Sequence, residues 1–594
     1  MKNRSFIIGM LITIIAMVSC KKNGLLDPKT EPLSEDKVFA DSALTNNFLN
    51  NIYAATGMDV VPLRNNLVSN GGASDNNGNL DDLSTNNGSG LSGQNVFLTG
   101  GSSPSSGPFQ ATYAAYYQKI RATNKLLNNL PKTPLSSAKK KRLAAEARFL
   151  RAFYYQALVR LYGAVQLMGD DASDDFPTYE YKRSTYKQCV DYIAAEYDKA
   201  ALDLPGSLTL DAVDYGRATS GACKALKARL FITAASPLFN GTPVAATAEQ
   251  APLVAYSTTY DVSLWQKAAD ACKAVIDLPE YALVIDNTLA AYPGNGFWKM
   301  FTESRKNSEY IYVYNIAKGK TLESYWFPRS LGTSPFSGTT LSNPTENIVK
   351  AFGMNNGKAI TDPSSGYVDT NPYNNRDPRF YYSIIYNQAM VSDKTTTVLK
   401  PISIFTDRAT GTTSADGITQ YYTKTGYYSR KMCNDRLPFS TLNVDRAYPI
   451  IRLAEVYLGY AEALNELGQT ELAVTWLNKI RDRAGIIPGS DGRFGIPAGI
   501  TKENLRIIIR NEYRVEFYQE GHWFYDTRRW RTAEQTEKEG VNGTKVYRES
   551  NGSFTYTSFT ALTTIFISPQ MYFVPIPNAE VLKSKGLLVQ NPGW

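Results

Sequence analysis

The chain has 594 residues, 43% of them hydrophobic, with 39 Tyr and 7 Trp, so it is a folded protein long enough for two or more packed subregions. Its formal charge of +8 is spread without a basic block, which argues against a nucleic-acid binder. Histidine occurs once, as His522, and that removes most His-based triads and most His-ligated metal sites.

At the N-terminus, Lys2 and Arg4 precede an apolar run from Phe6 to Met17. The run is too short to span a membrane and has the charged flank of an export signal. It meets Met17-Val18-Ser19-Cys20, which resembles the lipobox of bacterial lipoproteins, with Met17 in place of the usual leucine. This predicts a signal peptide over 1–19, lipidation of Cys20 and a tether over 20–40. Each buried acyl CH₂ contributes about 0.8 kcal/mol, so several chains anchor a protein without a spanning helix. The plainer alternative is a cleaved secretory signal with an incidental cysteine.

A helix is predicted over about 42–55, opening an N-terminal helical region over 41–286. Residues 64–108 are crowded with Gly, Ser and Asn, and a connection this long is usually a functional loop or a disordered one. Its Arg64, Asp75 and Asn76 offer donors and acceptors that suit a hydroxyl-rich ligand. The sequence leaves open whether calcium orders the stretch 71–82; no cofactor is expected.

Helical periodicity returns over 113–130 and 138–162, a hairpin across Pro131 and Pro134 with Ala144, Ala145, Ala147 and Ala152 allowing close approach. Residues 187–202 pair with 221–235, 264–276 has no evident partner, and 450–467 pairs with 471–483. Helix, short turn, helix is the pattern of tetratricopeptide-like repeats, here separated by long insertions and therefore not an uninterrupted groove. The fold class expected is mainly α, a tetratricopeptide-like helical-pair scaffold with loop-rich insertions and a few short strands. Cys223 and Cys272 fall on apolar helix faces as small core residues. With Cys189 and Cys433 they permit a disulfide, but no spacing demands one.

Over 287–448 the periodicity fades into short aromatic runs such as Tyr310-Ile311-Tyr312-Val313-Tyr314 and Phe380-Tyr381-Tyr382 among Gly, Pro, Ser and Thr. A site for sugars needs an aromatic platform flanked by short polar side chains and an arginine. Trp298 and the pair Tyr325-Trp326 lie in loop-like sequence of that kind, the pair being the leading candidate. A core or loop anchor is the plainer reading of each. No phosphate-binding glycine loop, metalloprotease motif or nucleophile elbow occurs, and no carboxylates stand in a recognisable glycosidase context, so no catalytic residue is assigned.

The C-terminal region, 449–594, contains the helix on which the chain is organised. Thr501 can cap it, and Leu505, Ile508, Ile509, Tyr513 and Phe517 form its buried face, with Gly521 as the stop. Arg506, Arg510 and Arg514 make one i, i+4 row and Glu512, Glu516 and Glu520 another. Neighbours within a row repel, so their partners must lie in other segments, tied together as a hub. His522 beside the helix stop reads as a structural hydrogen-bonding residue.

The stretch Ile509-Arg510-Asn511-Glu512-Tyr513-Arg514 through Glu520-Gly521 to Asp526 and Arg529-Trp530 resembles the C-terminal signature of the SusD/RagB family of surface lipoproteins. Tyr513, Trp523 and Thr527 depart from that signature. Arg376-Asp377-Pro378-Arg379, the repeat helices, and the end from Pro575-Ile576-Pro577 to Asn591-Pro592-Gly593-Trp594 are also similar to the family's segments, so the resemblance runs through the whole chain. It implies outward display, an outer-membrane location and a ligand-side loop bearing an acidic residue at Asp75. It also implies aromatic ligand contacts near Trp298, Tyr325 and Trp326. The partners implied are a glycan and a SusC-like TonB-dependent transporter over which the protein acts as a lid. The alternatives are a RagB-like peptide binder, a glycoside hydrolase, or a lid with no ligand site of its own.

Overall fold

The computed structural model describes residues 34–59, 83–84, 97–106, 110–172, 182–331, 343–419 and 422–594. Cys20, Arg64, Asp75, Asn76 and the 71–82 stretch lie outside these residues.

The scaffold is a series of helices: α1 (Ser42–Ala54), α2 (Gln110–Asn129), α3 (Ser137–Tyr162), α4 (Tyr186–Asp203), α5 (Ser220–Ala235), α6 (Ser263–Ile276), α7 (Leu453–Glu466), α8 (Thr470–Arg483), α9 (Lys502–Glu516) and α10 (Trp523–Arg529). Helices α2 to α7 each pack on the next, and α7 also packs on α8 and α9. Local chemistry sets their ends: Asp41 accepts from Leu44 N at 2.8 Å to cap α1, and Thr185 with Gln188 closes a capping box on α4. Helix α3 is buried along most of its length, Arg151 included. That guanidinium bonds Asn124 of α2 at 2.7 Å and Glu196 of α4 at 2.6 Å, tying three helices through one satisfied charge.

Helix α6, which had no evident partner in the sequence, lies between α5 and α7 and carries the series across the long insertion. The close approach is made possible by Gly459 of α7, where a Cβ would stand 3.4 Å from Cys272 Sγ. The helical pairs are therefore not isolated by the insertion. Cys189, Cys223, Cys272 and Cys433 are all free and buried.

The insertion forms a second apolar cluster, containing Phe297, Trp298, Trp326, Tyr428 and Tyr448, against the edge of the scaffold. Strand β1 (Tyr310–Asn315) pairs antiparallel with β2 (Ala447–Arg452), joining the insertion to the start of α7. The Phe380-Tyr381-Tyr382 run is not a strand: Asp377 caps a short helix with Pro378 at its first position, and that start selects helix. Strands β3 (Val541–Arg548) and β4 (Phe554–Leu562) form an antiparallel hairpin extended by Thr406–Asp407.

The glutamate row finds its partners in other segments, as its mutual repulsion requires; of the arginine row, Arg506 pairs with Glu466 of α7 at 2.5 Å, and Arg510 and Arg514 lie over the rings of Trp530 and Trp523. Arg379 reaches Glu512 at 2.6 Å and Glu516 at 2.9 Å, while Arg481 bonds Glu512 at 2.9 Å. Arg452 bonds Glu309, Glu516 and Glu520, Arg483 pairs with Glu309 and Glu516, and Lys431 holds Glu520. With Asp377 beside Arg379, the hub has five cations and five carboxylates, nine of them in buried residues, and the tenth, Glu520, has a side chain only 4% exposed. Burial alone would raise the Glu516 pKa, but Arg483, Arg452 and Arg379 outweigh it and hold it well below the usual range.

Helix α9 stops at Glu516, earlier than Gly521. Gln519 and Gly521 both take positive φ, 64° and 79°, and the resulting turn swings Glu520 round to Arg452 and Lys431. On the far side His522 stacks on Phe517, between Glu455 at 3.4 Å and Asp526 at 3.5 Å. Among the described residues, no helix is long and apolar enough to cross a membrane.

Candidate functional site

Trp298, Tyr325 and Trp326 all belong to the second cluster, so the fold does bring these three together. It does not present them alike. Each sits in a short helix and not in a loop: Asn295–Thr302 for Trp298 and Thr321–Trp326 for the pair. The first begins at Gly294, whose φ of 70° lets the Tyr-Pro-Gly turn enter a helix, with Gly296 packed where a Cβ would meet the Val284 carbonyl at 2.2 Å.

Trp298 is fixed on both its edge and its face. Its indole N–H donates to Asp435 Oδ1 at 2.8 Å, and the Arg436 guanidinium lies 3.8 Å from its ring centroid. The same guanidinium is 4.4 Å from the ring of Tyr292, which is exposed. The face expected to receive a ligand is thus occupied by Arg436, and the stack offers solvent the edge of that arginine and the ring of Tyr292.

Trp326 has 0% exposure, which corrects its assignment as a platform. Adjacent residues on a helix point about 100° apart, so a one-turn helix lying on a core buries one of a Tyr-Trp pair and leaves the other at the surface. The helix is pinned by Glu323, also fully buried, which pairs with Arg446 and accepts from Asn434 N at 2.8 Å. Asn434 and Asp435 are neighbours, so one segment holds both the Tyr325 helix and the Trp298 ring.

Tyr325 keeps accessible surface. Four residues beyond it, exposed Arg329 lies 5.7 Å over the ring of Tyr422, with Nη1 donating to the Tyr422 hydroxyl at 3.4 Å. Tyr422 and Tyr325 pack against the same cluster. The backbone at Ser330 donates to buried Asp416 at 3.0 Å, fixing the turn that carries Arg329, and burial raises the Asp416 pKa. Two tyrosines and an arginine around one apolar base are suited to the C–H face and hydroxyls of a sugar.

A model of the SusD family matches residues 298–594, half of the chain. The chain belongs to the SusD family. Residues 26–232 match a second model, described as starch-binding associating with outer membrane. SusD-like protein P2 of Formosa agariphila is 32% identical over 149 residues, a match covering 25% of this chain and 26% of that relative. Among solved structures, a SusD-like protein of Bacteroides fragilis aligns with a TM-score of 0.73 at 22% identity, over 95% of this chain and 99% of its own. A SusD-like carbohydrate binding protein of the same species gives 0.69 at 20% identity, over 93% and 99%. The fold is thus that of SusD-like proteins along nearly the whole chain.

Within this SusD-family chain, Arg329, Tyr422, Tyr292 and Arg436 escaped the reading of the sequence. Tyr292 had a signal in its Tyr-Pro-Gly turn, since a turn exposes its first residue. Arg436 and Tyr422 had none, because nothing local tells which distant ring an arginine or tyrosine will meet.

Proposed function

We propose that this chain is an outer-membrane nutrient-binding lipoprotein that captures glycan and delivers it to a SusC-like TonB-dependent transporter, anchored through Cys20 and facing the cell surface. Family membership supports the class of function. The observation that carries the site is that, of the three aromatic candidates, Tyr325 alone stays accessible, on the same cluster against which Tyr422 packs under Arg329. Tyr325 acts as the stacking face, Trp326 and Trp298 hold that surface from beneath, and Arg329 supplies hydrogen bonds to sugar hydroxyls. Arg64, Asp75 and Asn76 remain the proposed polar partners from the preceding loop.

The role is binding without catalysis. The carboxylates nearest the site are engaged in the scaffold: Glu323 with Arg446, Asp435 with Trp298 and Arg430, Asp416 with the Ser330 backbone. Capture of ligand then biases the position of the lid over the transporter, as any ligand with differential affinity for two states must.

Native affinity electrophoresis of a soluble form starting after Cys20, through gels containing different polysaccharides, tests this reading beside a Tyr325→Ala/Arg329→Ala variant. Retardation of the parent by one glycan, lost in the folded variant, is the expected result. Free migration of both proteins in every gel would remove the glycan reading and leave a peptide ligand or a ligand-free lid, and equal retardation of both would take Tyr325 and Arg329 out of the site.

A further inference from the structure

A cavity of about 50 Å³ is walled by the turns over 207–217, the start of α5 and strand β1. That is room for about three or four water molecules, or for the hydroxyl-bearing edge of one sugar ring. Four tyrosines line it, Tyr215, Tyr281, Tyr310 and Tyr312. The Tyr215 hydroxyl donates to the Arg305 carbonyl at 2.5 Å. The Tyr310 hydroxyl, in a residue 5% exposed, has no hydrogen-bond partner among the described residues, and the Tyr281 hydroxyl, in a residue 8% exposed, meets only those of Ser207 and Thr219, outside good hydrogen-bond geometry.

Unpartnered hydroxyls at such depth are unusual, because buried polar groups are nearly always satisfied. The fold makes room for one of them. Gly221, in the first turn of α5, sits where a Cβ would be 2.3 Å from the Tyr281 hydroxyl, so only glycine lets that group stand over the helix start. The hydroxyls of Ser207 and Thr219 lie beside it, and both residues line the cavity.

The open groups are uncharged. Arg217 is already paired with Glu146 at 2.8 Å and Asp214 at 3.1 Å. Asp211, Glu280 and Lys306 are of mixed sign and in contact with solvent, so the cavity selects no ionic charge. What remains are groups that both donate and accept, the hydrogen-bonding habit of a sugar hydroxyl. Leu210, Ile311 and Val313 complete the wall, and they give the apolar face of a ring a surface to lie on.

We propose that this cavity binds a single neutral sugar residue, separately from the Tyr325 surface. The hydroxyls of Tyr281 and Tyr310 exchange hydrogen bonds with the ring hydroxyls, and Leu210, Ile311 and Val313 meet its C–H face. The site adds a second contact for a glycan already held elsewhere, or accepts a free monosaccharide.

The test is isothermal titration of the soluble chain with glucose, galactose, mannose and xylose at millimolar concentrations, beside Tyr281→Phe, Gly221→Ala and Tyr325→Ala. One sugar should bind the parent and bind Tyr281→Phe and Gly221→Ala at least tenfold more weakly, with Tyr325→Ala unchanged. Circular dichroism melts establish that each variant is folded. Absence of heat with all four sugars overturns the proposal and leaves the cavity to ordered water. So does unaltered affinity in Tyr281→Phe, or loss in Tyr325→Ala, which would place the sugar on the first surface. Retardation of Tyr281→Phe in the polysaccharide gels reports on that first surface alone, so the two readings fail separately.

Discussion

Arg379 donates to Glu516 across 2.9 Å, joining residues 137 apart in the chain. Arg379 comes from the insertion that carries the candidate site, and Glu516 ends the buried helix α9. Their bond fastens the insertion to the scaffold. Because Glu516 also receives Arg452 and Arg483, its carboxylate is the common acceptor of three segments.

Glu516→Gln should therefore cost about 3–5 kcal/mol, since removing one charge leaves arginines buried and under-compensated. The solvent-facing pair Arg548–Asp407, 2.7 Å long, provides the contrast: Arg548→Gln should cost far less, because water screens that pair. Urea unfolding of the two variants beside the parent measures both. Equal losses would mean that the hub contributes no more than a surface ion pair.

The hub was legible because its signal is local. Rows of like charge on an apolar helix face cannot satisfy one another, so α9 announced distant partners before any were known. The helical pairs were legible for the same reason, through their 3.6-residue periodicity. The early end of α9 was not, because it depends on where Arg452 and Lys431 stand. Nor was the depth of Trp326: Tyr325-Trp326 reads the same whichever ring faces the core, and only the packing of Glu323 against Arg446 decides it. The β3–β4 hairpin alternates Thr with aromatics at Phe554, Thr555, Tyr556 and Thr557, a strand signal overshadowed by the helical pattern before it.

His522 makes stability pH-dependent near neutrality. Burial lowers its pKa, but Glu455 and Asp526 raise it more, and the net shift is upward. The facing cations, Arg229 and Arg529, are themselves bound to those carboxylates. A folded pKa above the unfolded value of about 6.5 gives stability that is complete below that value and lost as pH rises through the folded pKa. Melting temperatures of the parent and His522→Gln should differ most near about pH 6 and converge on the alkaline side. A gap that widens with pH would reverse the sign of the shift.

Tyr325 and Trp326 should separate binding from stability. Trp326→Ala empties a fully buried site and should cost about 3–5 kcal/mol. Tyr325→Ala removes a ring that keeps contact with solvent and should cost about 1 kcal/mol or less. Thermal melts and polysaccharide gels on both variants check this: Tyr325→Ala should lose retardation while melting near the parent. If it melts far below the parent, Tyr325 is an anchor like its neighbour.

The link from scaffold to site runs through two glycines. At Gly294 a Cβ would stand 2.2 Å from the Ala484 carbonyl, and at Gly485 one would stand 2.3 Å from Gly294 N, both at positive φ. The end of α8 and the start of the Trp298 helix thus touch backbone to backbone, with no space for a side chain on either. Gly485→Ala must push the two apart, and the displaced helix carries Trp298 with it. The strain at φ 77° adds to the cost, about 1 kcal/mol or more for a non-glycine residue. Trp298 should then lose its 2.8 Å bond to Asp435 and its stack with Arg436, which a shift in indole emission reports, using Trp298→Phe to assign the signal. Because Gly294→Ala opens the same contact, the double variant should be less destabilised than the sum of the two singles. Additive losses would show that each glycine serves its own turn and that the scaffold does not position the Trp298 helix through them.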